Sequence, residues 1–349
     1  MTEIWSKYGP TAARVHRSGL ERSRPTGTID IHSHVIVPAA AELVAPHLPK
    51  ALDNTAAETI AINRKQMVER SSRMTDLKDR LPDLDAMGIE RQVIKPSPNQ
   101  CYYEVPSDIA VKAARLVNDG MAEFASRLPN RLVPFGSVPM CEPEAAVAEL
   151  ERCARDLSFK GIQILTNISG RELSDPVFEK FWATAERLGT LVVIHPAGFT
   201  EPRRLARFYF GNVIGNPLDT SVAVHHLIFD GVLERYPKLR ILAVHGGAYV
   251  AAYSGRMDHA WGARSDSRGS LPHPPTYYLR KFYFDTVVFA PHQLAQLVQV
   301  FGASQILMGT DYPFDMGEYD PVGHVLSVEE FDQATVAAIS GGNARKLLA

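Results

Sequence analysis

The sequence predicts an α/β fold, a (β/α)₈ barrel, because short apolar runs alternate with amphipathic segments along its 349 residues. Each apolar run has the length of a strand. The segments between them carry apolar residues at spacings of three and four, with charges on the opposite face, as surface helices do. Eight such units in a chain of this size are typical of a barrel, so residues 27–349 are expected to form one.

The eight predicted strands are rich in aliphatic and aromatic residues. In chain order they are TIDIHSHVIV at 28–37, RQVIKPS at 91–97, RLVPFGSVP at 131–139, KGIQILTN at 160–167, LVVIHPAG at 191–198, LRILAVHGG at 239–247, KFYFDTVVF at 281–289 and QILMGTDYPF at 305–314. The clearest predicted helices lie at 107–128, 142–157 and 174–189. Catalytic side chains of such a barrel are expected at the carboxyl ends of the strands.

Two segments do not fit this alternation. Residues 38–77 separate the first strand from its helix by too great a length for a tight βα loop, which predicts an insertion or lid. Residues 1–26 contain no apolar run of signal-peptide length and are expected to form an N-terminal extension outside the barrel.

Composition narrows the possible partners. The net charge is −2, and the 37 basic and 39 acidic residues are interspersed, which argues against nucleic acid and anionic membranes. No window reaches the roughly 18 apolar residues of a membrane span. The three cysteines have no metal-site spacing and form no even set for disulfides, so a reducing cytoplasm is expected. A small molecule remains as the expected partner.

Two histidines close the first predicted strand. His32 and His34 are two positions apart, where the strand period turns both side chains to one face. Two imidazoles so placed can share one ion. A histidine pair of this spacing is weak evidence alone, since hydrogen-bonded pairs are common.

Three further polar residues end other predicted strands. His195 ends the fifth, His245 the sixth and Asp311 the eighth, each after an apolar run. Imidazoles and a carboxylate converging at one barrel mouth need partners, which a divalent cation supplies. Nitrogen-rich ligation with one carboxylate favours zinc, with iron and manganese as alternatives. The end of the fourth strand offers no lysine to bridge a second ion, so one metal is expected.

The motifs HSH, HP, HGG and GTDYPF resemble those of the amidohydrolase superfamily. Within it, HGGAYVAAYSGRMDHAW and GTDYPFDMGE are similar to the family of aminocarboxymuconate-semialdehyde decarboxylases and related metal-dependent decarboxylases. The similarity runs from about Thr28 to the C-terminus and is strongest over residues 216–318.

The resemblance assigns roles to particular residues. It implies four metal ligands, namely His32, His34, His195 and Asp311. It makes His245 the acid–base residue and Arg256 a binder of the substrate carboxylate that reaches in from a neighbouring subunit, which implies a homodimer. One arginine of the family pattern is not kept: Val68 takes its place, with Arg64, Arg70 and Arg73 nearby.

The activity that the resemblance implies is oxygen-independent decarboxylation of an unsaturated or aromatic carboxylic acid in the catabolism of aromatic compounds. Carboxymuconate semialdehydes and hydroxybenzoates are the two substrate types. A hydratase or a hydrolase of a ring-cleavage product could use the same ligands, and a non-catalytic metal-binding barrel is a third possibility. The presence of His245, which an ion with four other ligands does not need, favours an enzyme.

Overall fold

The computed structural model describes residues 22–48, 55–199 and 202–349. Most of the predicted N-terminal extension, residues 1–21, lies outside the described residues. The strands of the described part are β1 (Ile29–Val35), β2 (Arg91–Pro96), β3 (Leu132–Pro134), β4 (Gly136–Ser137), β5 (Gly161–Leu165), β6 (Asn167–Ile168), β7 (Arg171–Glu172), β8 (Leu191–His195), β9 (Arg240–Ala243), β10 (Tyr283–Asp285) and β11 (Ile306–Leu307).

The helices surround these strands. They are α1 (Pro38–Val44), α2 (Ala57–Thr75), α3 (Leu77–Ala86), α4 (Ser107–Ser126), α5 (Pro143–Arg155), α6 (Glu179–Leu188), α7 (Asn216–Phe229), α8 (Val232–Arg235), α9 (Val250–Ala263), α10 (Ser265–Arg268), α11 (Pro275–Leu279), α12 (Pro291–Phe301), α13 (Pro321–Leu326), α14 (Gln333–Ala337) and α15 (Asn343–Leu348). None of the helices in these ranges is both long and apolar enough to cross a bilayer.

The main strands are parallel and form two sheets. One has the order β1-β2-β3 and the other the order β11-β10-β9-β8-β5-β4. The β6–β7 pair is a separate antiparallel hairpin. Each of the eight predicted strands contains at least one of the observed ones, and the third contains both β3 and β4. The prediction of an α/β fold with parallel strands is therefore confirmed.

Backbone contacts also connect the two sheets at the β1 edge. Ile31 N donates to Met308 O at 2.9 Å, and Ser33 forms an isolated parallel bridge with Tyr312. At the other edge, β3 and β4 are separated in the chain only by Phe135. The first and last strands are thus neighbours, and their carboxyl ends lie together.

Two layers of apolar side chains stabilise this arrangement. One cluster lies between strands and contains Ile31, Val93, Val193, Leu242 and Leu307, all fully buried. The larger cluster packs the outer faces of the strands against the helices. In α6, for example, the buried residues Phe181, Trp182 and Ala185 follow the spacing of one helix face.

Residues 38–77, the predicted insertion, contain α1 and α2 in their described part. Ile36 N donates to Met74 O at 3.0 Å, and the Gln66 side chain accepts from Asp315 N at 2.7 Å. The end of α2 therefore contacts the residue that follows β1, and the middle of α2 contacts the segment after β11. That the insertion acts as a lid stays a prediction.

Candidate active site

Five polar side chains meet at the carboxyl ends of the strands. Nε2 of His32 lies 3.2 Å from Nε2 of His34, and Oδ1 of Asp311 lies 3.2 Å and 3.0 Å from these two atoms. His195 Nε2 is 4.0 Å from the same Oδ1 atom. His245 Nε2 is 3.5 Å from Oδ2 of Asp311. The five strand-end residues singled out in the sequence are brought together.

The imidazole orientations suit a metal ion. Nδ1 of His34 lies 3.2 Å from the Pro96 carbonyl oxygen, and Nδ1 of His195 lies 2.7 Å from that of Pro196. With Nδ1–H donating, each Nε2 carries a free lone pair that faces the centre. Burial lowers the pKa of His34 to about 3 and that of His195 well below its ordinary value, which favours the neutral form that a ligand requires.

A missing hydrogen bond at His195 also indicates that the site suits a metal ion. Nε2 of His195 is buried and has no hydrogen-bond partner among the described residues. A buried polar atom without a partner costs free energy. Ligand atoms of His32, His195, His245 and Asp311 all lie within 4.8 Å of one another, and His34 joins them through His32. The donor set therefore fits one divalent cation.

Asp285, at the end of β10, orients one of these imidazoles. Its Oδ2 atom lies 2.6 Å from Nδ1 of His32, while Oδ1 accepts from Gly246 N at 2.9 Å and from Val287 N at 3.1 Å. Carboxylates commonly fix metal-binding histidines in this way. The only sequence signal for Asp285 was its place after the apolar run of the seventh predicted strand.

The glycines after His245 allow close packing. A Cβ atom on Gly246 would lie 2.3 Å from Val288, and one on Gly247 would lie 2.5 Å from Phe284.

His245 and Asp311 have φ angles of 55° and 59°, in the left-handed region where residues other than glycine are strained. The surrounding structure therefore holds both side chains in backbone conformations that cost free energy.

Arg80 supports the strand end that carries the first two histidines. It is fully buried and donates to His34 O at 2.9 Å, to Ser33 Oγ at 2.8 Å and to Gln92 Oε1 at 2.8 Å. Asp30 accepts from His32 N at 2.9 Å in the same network. No local sequence pattern distinguishes Arg80 from a surface helix arginine, and sequence analysis gave it no such role.

Lys95 is a second buried cation that the sequence did not reveal. Lys95 in β2 lies opposite His34 in β1 in the register of the two parallel strands. Its ammonium nitrogen is buried and has no hydrogen-bond partner among residues of the described ranges. Burial lowers the pKa of Lys95 to about 8, and the negative charges of Asp285 and Asp311 oppose this shift. The lysine therefore adds positive charge next to the histidine cluster.

A cavity of about 660 Å³ opens above the cluster. His195, His245 and Asp311 lie in its wall, together with aromatic residues such as Phe314, whose ring centroid is 5.2 Å from that of His34. This volume is within the usual range for a small-molecule site. Arg256 is exposed on α9 and does not line the cavity of its own chain.

Parallel strands that carry imidazoles and a carboxylate to one point beneath a cavity are typical of metal-dependent α/β enzymes. Residues 29–349 match the amidohydrolase family. The chain belongs to this family, as the HSH, HGG and GTDYPF motifs led us to expect.

Its similar proteins include several decarboxylases. A 2-amino-3-carboxymuconate-6-semialdehyde decarboxylase from Dictyostelium discoideum is 32% identical over 92% of this chain and 91% of its own length. A gamma-resorcylate decarboxylase from a Polaromonas species is 28% identical over 81% of this chain and 90% of its own length. The predicted resemblance to these decarboxylases is confirmed.

Several solved structures with this fold are named as decarboxylases. The 5-carboxyvanillate decarboxylase from Sphingomonas paucimobilis superposes with a TM-score of 0.82 at 22% identity, covering 92% of this chain and 98% of its own. A dihydroxybenzoic acid decarboxylase from Polaromonas, with bound manganese and the inhibitor 2-nitroresorcinol, has a TM-score of 0.76 at 25% identity, covering 92% and 96%.

Proposed function

We propose that the protein is a metal-dependent, oxygen-independent decarboxylase of an unsaturated or aromatic carboxylic acid, acting in the catabolism of aromatic compounds. The observation that carries this proposal is the cluster of His32, His34, His195, His245 and Asp311, three of which lie in the cavity wall. The names of the similar proteins, all decarboxylases among those described above, support it.

We assign His32, His34, His195 and Asp311 as ligands of one divalent metal ion. Such an ion supplies a Lewis acid that binds anionic oxygens and makes water more acidic. The nitrogen-rich donor set supports zinc. Manganese in the Polaromonas structure is the observation that favours the alternative.

His245 is the proposed acid–base residue. Its Nε2 atom lies 3.5 Å from the Asp311 carboxylate, and the residue lines the cavity where a bound substrate would contact it. Nε2 gives a proton to the unsaturated carbon that bears the carboxylate. The bond from that carbon to the carboxylate then breaks, CO₂ leaves, and the electron pair of the broken bond restores the unsaturation. His245 thus performs general acid catalysis.

Arg256 is the proposed binder of the substrate carboxylate in a homodimer. Its exposure on α9 and its absence from the cavity wall of its own chain support insertion into the cavity of a second copy. The planar guanidinium can bind a carboxylate with two hydrogen bonds.

The finer points of the fold are part of this proposal. The contacts between β1 and the segment after β11 support closure of the parallel strands into a (β/α)₈ barrel over residues 27–349. Residues 38–77 are the proposed insertion or lid, and residues 1–26 the proposed extension. Arg22, at the described end of this extension, donates to Leu326 O and Val328 O.

The free cysteines support a cytoplasmic location.

The experiment that tests the function is a screen of the metal-loaded protein against carboxymuconates and hydroxybenzoates. Release of CO₂ from at least one compound supports a decarboxylase. Hydration or ring hydrolysis without CO₂ would instead identify the alternative activity of the same site. Metal binding without turnover of any compound would favour the non-catalytic barrel.

A further inference from the structure

Among the described residues, no lysine or arginine side chain lies in the wall of the cavity. Its polar groups are largely neutral amides, including those of Asn63, Gln66, Asn99, Asn212, Gln293 and Gln296. The other polar groups include the imidazoles of His195 and His245 and two carboxylates, those of Asp311 and Asp315. Such a wall offers hydrogen bonds to a polar substrate but few cations to balance negative charge.

The arginines of α2 do not fill this gap. Arg73 Nε lies 2.6 Å from Asp83, and Arg70 donates to the Tyr319 hydroxyl at 3.2 Å. Neither these two nor Arg64 lines the cavity, whereas Asn63 and Gln66 of the same helix do. The position left by the missing family arginine, Val68, is 77% exposed. A second carboxylate on the substrate would therefore meet no arginine of this helix in the cavity wall, and the charge of Arg70 acts on Asp315 from outside that wall.

Asp315 adds a negative group instead. It follows the proposed ligand Asp311 by four residues and lines the cavity next to Phe314 and Met316. Its Oδ1 atom is buried and has no hydrogen-bond partner among the described residues. Burial raises the pKa of Asp315, as expected for a carboxylate removed from water.

The backbone of Asp315 is held in place by the insertion. Gln66 of α2 accepts a hydrogen bond from Asp315 N at 2.7 Å, and the Gln66 side chain is itself 5% exposed. The side-chain carboxylate is not used in this bond. Its Oδ1 atom therefore remains an unused acceptor.

We propose that Asp315 determines substrate specificity by accepting a hydrogen bond from a ring hydroxyl of an aromatic monocarboxylate and by repelling a second carboxylate. This inference rests on the proposed function. A hydroxyl donor and a carboxylate acceptor make a short, strong hydrogen bond, whereas two carboxylates in a partly dry cavity repel each other. The proposed Arg256 of a neighbouring subunit and the metal together match a single substrate carboxylate.

The test measures equilibrium binding to the full-length, metal-loaded protein by calorimetry. The probes are the three positional isomers of hydroxybenzoate, their methoxy counterparts and benzene-1,3-dicarboxylate. A hydrogen bond to a charged group corresponds to a preference of about 10 to 100-fold, so at least one hydroxybenzoate is expected to bind that much more tightly than its methoxy counterpart. The dicarboxylate is expected to bind more weakly than this hydroxybenzoate.

Two variants separate the two parts of the proposal. Asp315→Leu removes the acceptor and should reduce the hydroxyl preference to less than about threefold. Asp315→Asn removes only the charge and should make the dicarboxylate bind about tenfold more tightly than it binds the original protein. The exposed Asp266→Asn variant is the matched control and should change neither quantity. Unchanged unfolding midpoints show that the variants are folded.

Equal affinities for hydroxy and methoxy probes would overturn the proposal, as would a hydroxyl preference that survives in Asp315→Leu. Dicarboxylate binding as tight as that of the best hydroxybenzoate would also overturn it, and so would no binding of any hydroxybenzoate. Because binding is measured rather than turnover, a protein that binds as expected but releases no CO₂ would contradict the proposed function and leave the role of Asp315 intact.

Discussion

Nδ1 of His32 lies 2.6 Å from Oδ2 of Asp285, and both side chains are fully buried. The contact connects the end of β1 to the end of β10. It turns Nε2 of His32 toward His34 and Asp311. The orientation of the proposed metal ligand therefore depends on a residue that is not itself among the proposed ligands.

Asp285→Asn should weaken metal binding by about 10 to 100-fold. The amide can place its NH₂ group against Nδ1 of His32, which favours the tautomer with hydrogen on Nε2 and blocks ligation. Metal competition with a fluorescent chelator measures the affinity. The exposed Asp266→Asn variant should bind metal as the original protein does. Equal affinity in Asp285→Asn would show that this contact does not orient the ligand.

Metal content separates proposed ligands from the proposed acid. His32→Ala, His195→Ala and Asp311→Ala should each lose stoichiometric metal, because three ligands hold an ion less firmly than four. His245→Ala should keep its metal but lose turnover by about 10²–10⁴-fold. Elemental analysis after gel filtration, with kinetics on the same samples, checks both. Metal loss in His245→Ala would make this residue a ligand, and full occupancy in the other three would refute the assignment.

Lys95 should make stability depend on pH. Its pKa is about 8 in the folded protein against 10.5 ordinarily, so the unfolded chain binds more protons between these values. The free energy of unfolding contributed by Lys95 should therefore rise from about pH 8 to pH 10. Urea unfolding of the original protein and of Lys95→Met, in the same metal state, measures the difference. Parallel pH profiles in the two proteins would contradict the prediction.

Arg256 connects the site to assembly. Arg256→Ala and His245→Ala should each be nearly inactive, yet mixing them should restore about a quarter of the original activity, because half of the exchanged dimers carry one intact site. The two variants are mixed at equal concentrations, and the recovered activity is measured. Energy transfer between labels on the two variants monitors subunit exchange. Full exchange without recovered activity would count against a shared site.

Much of the fold follows from local sequence pattern. The apolar runs before His195 and His245 are long enough and buried enough to define β8 and β9. His195 ends β8 as predicted, whereas β9 ends at Ala243, two residues before His245, which begins a 3₁₀ turn. The paired β6 and β7 were not predicted, because each has two residues and no alternating pattern. Short polar hairpins depend on tertiary context more than on propensity.

The site was predictable where polarity interrupts an apolar run. His32, His34 and Asp311 interrupt such runs, and they are brought together. Arg80, Lys95 and Asp315 were not identified, because an arginine, lysine or aspartate in a mixed segment is usually exposed. Their burial depends on which elements pack above them, and that information is distributed over the whole chain.

Release of labelled CO₂ under anaerobic conditions is the decisive test of metal-dependent decarboxylation by this protein. A carboxyl-¹³C-labelled compound from the hydroxybenzoate panel is incubated with metal-loaded protein, with chelator-treated protein, and with treated protein to which metal is returned. We expect one equivalent of ¹³CO₂ per substrate consumed, loss of release on chelation and recovery with metal. Substrate consumption with the label retained in the product, or release that is unaffected by metal removal, would contradict it.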